Sequence, residues 1–98
     1  MELSKYSLFL YINQGKNDNI INYFQNSDVD VNLPLNNFNW TPLHTAAYQG
    51  NLQLIEYLLK RGANIRTPNS SGMTALNLAE TKQLWRVVEL IQNYDKCP

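Results

Sequence analysis

A chain of 98 residues is long enough for one small domain, and its hydrophobic content of 44% argues against disorder. Eight basic and eight acidic residues give a formal net charge of zero without a basic cluster, so neither nucleic acid nor an anionic membrane surface is predicted as a partner. The single cysteine, Cys97, excludes an intramolecular disulfide framework.

The N-terminal segment is predicted to form two helices of irregular pattern. The stretch from Ser4 to Gln14 is rich in apolar residues, and a second apolar stretch contains Ile21 and Phe24. Gly15 lies between them and is predicted to break the helix. The turn is expected to carry one extra residue within 16–19, compared with the segments that follow.

The middle segment begins with a predicted tight turn at residues 36–40. Asn39 is expected there in a left-handed backbone conformation, which asparagine tolerates better than most residues. Thr41 then caps a short helix and Pro42 occupies its first position, where a missing N–H does no harm. This helix is predicted to end at about Gln49.

A second helix is predicted from Leu52 to Lys60. Gly50 separates it from the preceding helix, and Gly62 is placed to end it as a left-handed cap. The middle segment is therefore a helix-turn-helix unit.

The same unit returns 33 residues later. Residues 41–47, with the sequence TPLHTAA, are answered by residues 74–80, TALNLAE, and the apolar positions of 52–58 recur at 85–91. A fixed period of this length is typical of stacked supersecondary units. The N-terminal segment fits the register at a spacing of about 34, which predicts three units within one domain, at residues 1–35, 36–68 and 69–98.

The middle unit resembles an ankyrin repeat, because TPLHTAA at 41–47 is followed by Gly50 and by the Gly62-Ala63-Asn64 ending. The resemblance implies an all-α ankyrin-repeat solenoid of stacked helix-turn-helix units with short tight-turn or hairpin connections. It also implies that His44 bonds to the backbone and to Thr41, which ties adjacent loops together.

Polar replacements predict that the outer repeats cap the stack. Leu59 of the middle repeat corresponds to Gln25 in the first and Gln92 in the third. Terminal repeats of a solenoid need polar outer faces for solubility. We therefore expect residues 1–35 to be a divergent N-terminal cap and residues 69–98 to be a C-terminal cap. The chain is then expected to be a complete small protein or a deliberately capped one, rather than a slice from a long array.

Apolar residues at the repeat positions are assigned to the core. Trp85 takes the place of Leu52 and is expected to fill the end of the stack, whereas Val88 and Ile91 are expected to leave some apolar surface on the last helix. The assigned core comprises Leu8, Leu43, Leu54, Ile55, Leu58, Leu76, Leu78, Trp85, Val87, Leu90 and Ile91.

The chain offers few groups for catalysis or metal binding. His44 is its only histidine, whereas a zinc site needs several Cys or His ligands. Glu56 and Glu89 are expected at solvent-facing helix positions rather than in a shared pocket, and the sequence has no glycine-rich phosphate-binding motif. We therefore expect no enzyme activity, no catalytic residue, no metal and no cofactor.

Recognition of another protein is the expected function. In ankyrin proteins the turn tips and the exposed faces of the first helices form a concave strip that meets partners. Large aromatic residues and arginine dominate interface energetics, which singles out Phe38, Trp40 and Tyr48, although Phe38 and Trp40 have the alternative of supporting the stack. The positions carried over are Asn37, Phe38, Trp40, Tyr48, Gln49 and Arg61 in the middle repeat, Ser70, Ser71, Met73, Thr81 and Lys82 in the third, and Lys5, Asn13 and Gln14 in the first.

The leading hypothesis is a monomer, or a 1:1 complex in which the chain acts as a stoichiometric inhibitor or immunity-type protein. Small size without a second domain favours this role over an adaptor or a secreted effector that recruits a host protein. A self-associating structural protein, using Leu84, Val88 and Ile91, is a third alternative. No secretion signal or transmembrane segment is recognisable, so a cytoplasmic location is expected, while signal-independent secretion would leave no sequence signal.

Overall fold

The computed structural model describes residues 5–96, which contain six α-helices and no strands. The prediction for Cys97 lies outside these residues. The helices are α1 (Lys5–Asn13), α2 (Asn17–Gln25), α3 (Pro42–Gln49), α4 (Leu52–Lys60), α5 (Ala75–Thr81) and α6 (Trp85–Lys96).

The helices stack in two layers. In the layer of first helices, α3 packs between α1 and α5, and in the layer of second helices, α4 packs between α2 and α6. Each first helix also contacts the second helix of its own pair. The predicted all-α solenoid of stacked helix pairs is therefore confirmed.

The first helices of the middle and third repeats begin in the same way. Thr41 precedes α3 in an extended conformation, its side chain accepts from the His44 N–H, and Pro42 follows at the first helical position. Thr74 repeats this arrangement with Asn77 in place of the histidine. The predicted boundaries of α3 and α4 are confirmed, because α3 ends at Gln49 and α4 runs from Leu52 to Lys60.

The turns between paired helices share one geometry. Residues 14–16 separate α1 from α2, residues 50–51 separate α3 from α4, and residues 82–84 separate α5 from α6. Each second helix begins two residues after Gly15, Gly50 or Gln83, so the helix bounds do not show the extra residue predicted within 16–19. Gly15 and Gly50 have φ angles of 72° and 71°. Gln83 occupies the corresponding place in the third repeat with a φ of 60°, a conformation that strains a residue with a Cβ.

The core runs between the two helix layers. The prediction that Trp85 belongs to this core is wrong. Trp85 is 62% exposed, whereas the equivalent Leu52 is partly buried and packs against the core beside residues of α6. In the described part of the chain no further helix pair follows α6, so the face that carries Trp85 is open. The prediction that Val88 and Ile91 leave apolar surface on the last helix is also wrong, because these residues are only 8% and 0% exposed.

Candidate functional site

The turn that precedes α3 is held by one asparagine side chain. Asn36 Oδ1 accepts from the backbone N–H of Phe38 at 2.9 Å and from that of Trp40 at 3.3 Å. The Leu35 N–H donates to the Trp40 carbonyl at 2.7 Å and closes the turn. Asn39 has the predicted left-handed conformation, with a φ of 60°. The backbone around Phe38 is therefore fixed by hydrogen bonds although the turn is at the surface.

The turn that precedes α5 has the same design. Asn69 Oδ1 accepts from the N–H groups of Ser71 at 2.9 Å and Met73 at 3.0 Å. The two turns are joined directly, because the Ser70 N–H donates to the Phe38 carbonyl at 2.9 Å. Six of the predicted site residues thus lie on two linked turns of equal geometry.

His44 provides a second link between the repeats. The Thr41 N–H donates to His44 Nδ1 at 3.2 Å, so Nδ1 is unprotonated and Nε2 carries the hydrogen. Nε2 then donates to the Met73 carbonyl at 2.9 Å. The role that the resemblance implied for His44 is confirmed.

The surroundings of His44 favour its neutral form. The side chain is 1% exposed, and this burial lowers the pKa of His44 below its ordinary value of 6.5, although the Met73 and Thr67 carbonyls act in the opposite direction. Because both nitrogens are already engaged, His44 is not available to take a proton from a substrate.

Three predicted residues form a continuous row beside these turns. The rings of Trp40 and Tyr48 meet edge to face with centroids 5.4 Å apart. Lys82 Nζ lies 3.9 Å from the centroid of the Tyr48 ring and donates to the Tyr48 carbonyl at 2.9 Å. Phe38, two residues before Trp40, is 67% exposed. We call Phe38, Trp40, Tyr48 and Lys82 the aromatic strip.

The polar residues predicted around the aromatic strip differ in their hydrogen bonds and exposure. Gln49 Nε2 donates to Asn13 Oδ1 at 2.6 Å, which connects α3 to α1. The Thr81 hydroxyl donates to the Asn77 carbonyl of its own helix at 2.9 Å. Asn37 is exposed at the tip of its turn.

Arg61 is not brought to the aromatic strip. It follows α4 in the layer of second helices, where one guanidinium nitrogen donates to the Tyr57 hydroxyl at 2.8 Å. The other donates to the carbonyl of Phe24, in α2, at 3.2 Å. The contacts of Arg61 therefore join two second helices, and its place in a binding surface has no support from this geometry.

Asn36 and Asn69 were not among the predicted site residues although they position the strip. Both begin a turn in which the fourth residue, Asn39 or Gly72, has a positive φ. The signal was present in the sequence, since the two asparagines are 33 residues apart in the register of the repeat. An asparagine at the start of a turn commonly accepts from the backbone two residues later.

Among residues 5–96, no group of three or more His, Cys, Asp or Glu side chains is arranged to hold a metal ion. Glu56 and Glu89 are exposed as predicted, and Glu56 pairs with Lys60 at 3.0 Å on the outer surface of α4. The prediction that they share no pocket is wrong, because both border one surface groove of about 280 Å³ between α4 and α6. Across residues 5–96, none of the helices has the length and apolar character that crossing a bilayer requires.

Comparison with known proteins gives one family. A family model for ankyrin repeats, in three copies, matches residues 8–97. Palmitoyltransferase AKR1 of Lachancea kluyveri is 37% identical over 60 residues, which cover 61% of this chain and 8% of that protein.

Two further relatives share shorter segments. The phosphocholine transferase AnkX of Legionella pneumophila is 38% identical over 58 residues, or 59% of this chain and 6% of AnkX. Human ankyrin repeat and SOCS box protein 11 is 48% identical over 42 residues, or 43% of this chain and 13% of that protein. The chain thus spans roughly a tenth of the curated relatives that it matches.

Proposed function

Since the chain belongs to the ankyrin-repeat family, whose repeats are protein-interaction modules, we propose that it binds its protein partner through the aromatic strip. The turn tips around Ser70 and Ser71 and the exposed ends of α3 and α5 complete the proposed surface. Ankyrin repeats are typically non-enzymatic, and the binding proposed here requires no chemical step.

One observation carries this proposal: large exposed aromatic side chains lie on a backbone that cannot rearrange freely. Phe38 and Tyr48 are 67% and 40% exposed. Phe38 lies on a turn that the Asn36 side chain holds and that the Ser70 N–H joins to the next turn, and Tyr48 lies in helix α3. A preformed surface loses little conformational entropy on binding, and buried aromatics contribute most of the energy of many interfaces.

We propose further that the chain acts by occupancy, as a stoichiometric inhibitor. His44 has both nitrogens engaged within the stack, and Glu56 forms its ion pair on the opposite layer. The strip itself offers aromatic surface, the hydroxyl of Tyr48 and one ammonium group, which can cover a surface of a partner. An inhibitor of this kind would lower the activity of its partner at one equivalent, whereas an adaptor would leave that activity intact.

The test compares three tagged proteins in affinity capture from lysate of the source cells. These are the unmodified chain, the Phe38→Ala/Tyr48→Ala double variant and the Trp85→Ala variant, each confirmed to be folded by circular dichroism. Trp85 is the matched control because it is an exposed aromatic residue in the layer of second helices. A near-stoichiometric partner that is lost only with the double variant supports the strip.

The opposite results are equally clear. A partner retained by the double variant and lost with Trp85→Ala would place the interface on α6 and refute the proposed surface. A partner retained by all three proteins would remove both aromatic groups from the interface.

A second candidate function, self-association, is favoured by the exposure of Trp85. This residue borders a surface groove of about 300 Å³ with Leu52 and Leu84, between the N-terminal ends of α4 and α6. Sedimentation velocity over a range of concentrations tests it: self-association through this groove predicts a larger species that Trp85→Ala abolishes and Phe38→Ala preserves. A monomer at every concentration would refute this candidate.

A further inference from the structure

The ammonium group of Lys82, within the aromatic strip, indicates which chemical groups a partner would present to it. Lys82 Nζ donates to the Tyr48 carbonyl at 2.9 Å and lies 3.9 Å from the Tyr48 ring centroid, so its position is fixed across two repeats. An ammonium group has three N–H donors, and only one of them is directed to this carbonyl. The other donors are left for an acceptor from outside, because Lys82 is exposed.

No carboxylate in the strip balances this charge. The turns at 36–40 and 69–73 and helix α3 contain no Asp or Glu. Glu80 lies two residues before Lys82, a spacing that points side chains to different sides of a helix. The ion pairs found within residues 5–96 are Glu56 with Lys60 and Asp95 with Arg66, both on second helices or their loops.

The neighbours of the ammonium group are apolar on one side. The Tyr48 ring lies directly beneath it, and the Trp40 ring continues the row at a centroid distance of 5.4 Å. A carboxylate that reaches Lys82 is therefore bordered by aromatic faces. A flanking apolar side chain would pack on these faces and exclude water, which strengthens the ion pair.

From this arrangement we infer that the partner presents an acidic side chain next to an apolar or aromatic one, with the carboxylate on Lys82 and the apolar group on Trp40 and Tyr48. The inference rests on the proposed function and specifies the chemistry of its partner. The occupant is a segment of protein chain, because two neighbouring side chains of such a segment can supply the carboxylate for Lys82 and the apolar group for the rings of Trp40 and Tyr48.

The first experiment selects binders from a random peptide library displayed on phage. The unmodified chain, the Lys82→Glu variant and the Lys60→Glu variant are used as bait. Lys60 is the matched control because it is a lysine on the outer surface of α4, paired with Glu56. The unmodified chain and Lys60→Glu are expected to enrich Asp or Glu beside Phe, Tyr, Trp or Leu, and Lys82→Glu is expected to lose that acidic preference.

The second experiment measures affinity with a reporter in the strip. The chain has two tryptophans, so Trp85→Phe leaves Trp40 as the only tryptophan, whose emission is excited selectively over that of the tyrosines. A selected peptide is titrated against this protein with and without Lys82→Gln. The substitution is expected to weaken binding about fivefold and to remove most of its dependence on salt concentration.

The outcomes separate the two claims. Peptides that lose affinity with Phe38→Ala/Tyr48→Ala but show no acidic preference would overturn this inference and leave the proposed function intact. The same result follows if Lys82→Gln leaves affinity and salt dependence unchanged. A selection whose binders all retain their affinity for Phe38→Ala/Tyr48→Ala, or that yields no binder, would overturn the proposed surface and this inference with it.

Discussion

Replacing His44 with asparagine separates the two hydrogen bonds of the imidazole, one to the Thr41 N–H and one to the Met73 carbonyl. Asn77 shows that asparagine can close the N-terminal cap, because its Oδ1 accepts from the Thr74 N–H at 3.0 Å while its own N–H donates to Thr74 Oγ1 at 3.2 Å. His44→Asn is therefore expected to keep the cap of α3. It removes the longer reach to the Met73 carbonyl, which His44 bonds at 2.9 Å.

The size of the effect follows from what is left behind. The Met73 carbonyl keeps the N–H of Asn69 at 2.8 Å, so no buried acceptor is orphaned. One lost hydrogen bond and a slightly smaller side chain in a site that is 1% exposed are expected to cost about 1 to 2 kcal/mol near neutral pH. His44→Ala also leaves the Thr41 N–H without its acceptor, and its cost is expected to be about 2 to 3 kcal/mol.

The dependence on pH tests the reasoning more sharply than the magnitude. Burial lowers the pKa of His44 in the folded state below 6.5, so between the two pKa values the unfolded chain binds more protons. The stabilisation by His44 is therefore complete above the unfolded pKa and is lost as the pH falls through 6.5 toward the folded pKa. Protonated Nδ1 would also face the Thr41 N–H, two donors against each other.

Urea denaturation at a series of pH values from about 8 to about 5 measures the free energy of unfolding of both proteins. The difference between the unmodified chain and His44→Asn is expected to be largest above pH 6.5 and to narrow below it. A difference that stays constant, or that widens in acid, would refute the assignment of a neutral His44 with Nδ1 as acceptor.

Five further substitutions have defined outcomes. Gln83→Gly is expected to raise the free energy of unfolding by roughly 1 kcal/mol, because it removes the strain of a glutamine in the left-handed backbone conformation. Gly50→Ala, at a φ of 71°, should lower the free energy of unfolding by a similar amount in the same denaturation assay. Asn36→Ala removes the acceptor of two backbone N–H groups and should lower the free energy of unfolding by about 1 to 2 kcal/mol, measured by thermal unfolding. Asn37→Ala, at the exposed tip of the same turn, should lower it by about 0.5 kcal/mol or less. Arg61→Ala is expected to lower stability by about 0.5 to 1 kcal/mol through the lost bond to a carbonyl of α2, with partner affinity unchanged in titration; weaker binding at unchanged stability would return Arg61 to the interface.

The repeat architecture could be predicted because its signals are local. The cap formed by Thr41, the break at Gly50 and the left-handed turn at Asn39 each depend on residues within a few positions, and a spacing of 33 residues repeats the pattern. Local chemistry of this kind determines where a helix begins and ends before any tertiary contact is known.

The composition of the surface was harder to predict because it depends on contacts between repeats. Lys82 bonds to a carbonyl 34 residues earlier, and Arg61 bonds to one 37 residues earlier, and no local pattern encodes either direction. The exposure of Trp85 has the same origin. Its equivalent, Leu52, is partly buried and lies beside residues of α6, so the burial of this position depends on a neighbour rather than on the residue type.

Amide hydrogen exchange of the chain, alone and in complex with its captured partner, tests the central claim most directly. Binding through the aromatic strip predicts slower exchange in the turns at 36–40 and 69–73 and at the C-terminal ends of α3 and α5, with α4 and α6 unchanged. Protection confined to α4 and α6, with those two turns exchanging as in the free chain, would contradict the account.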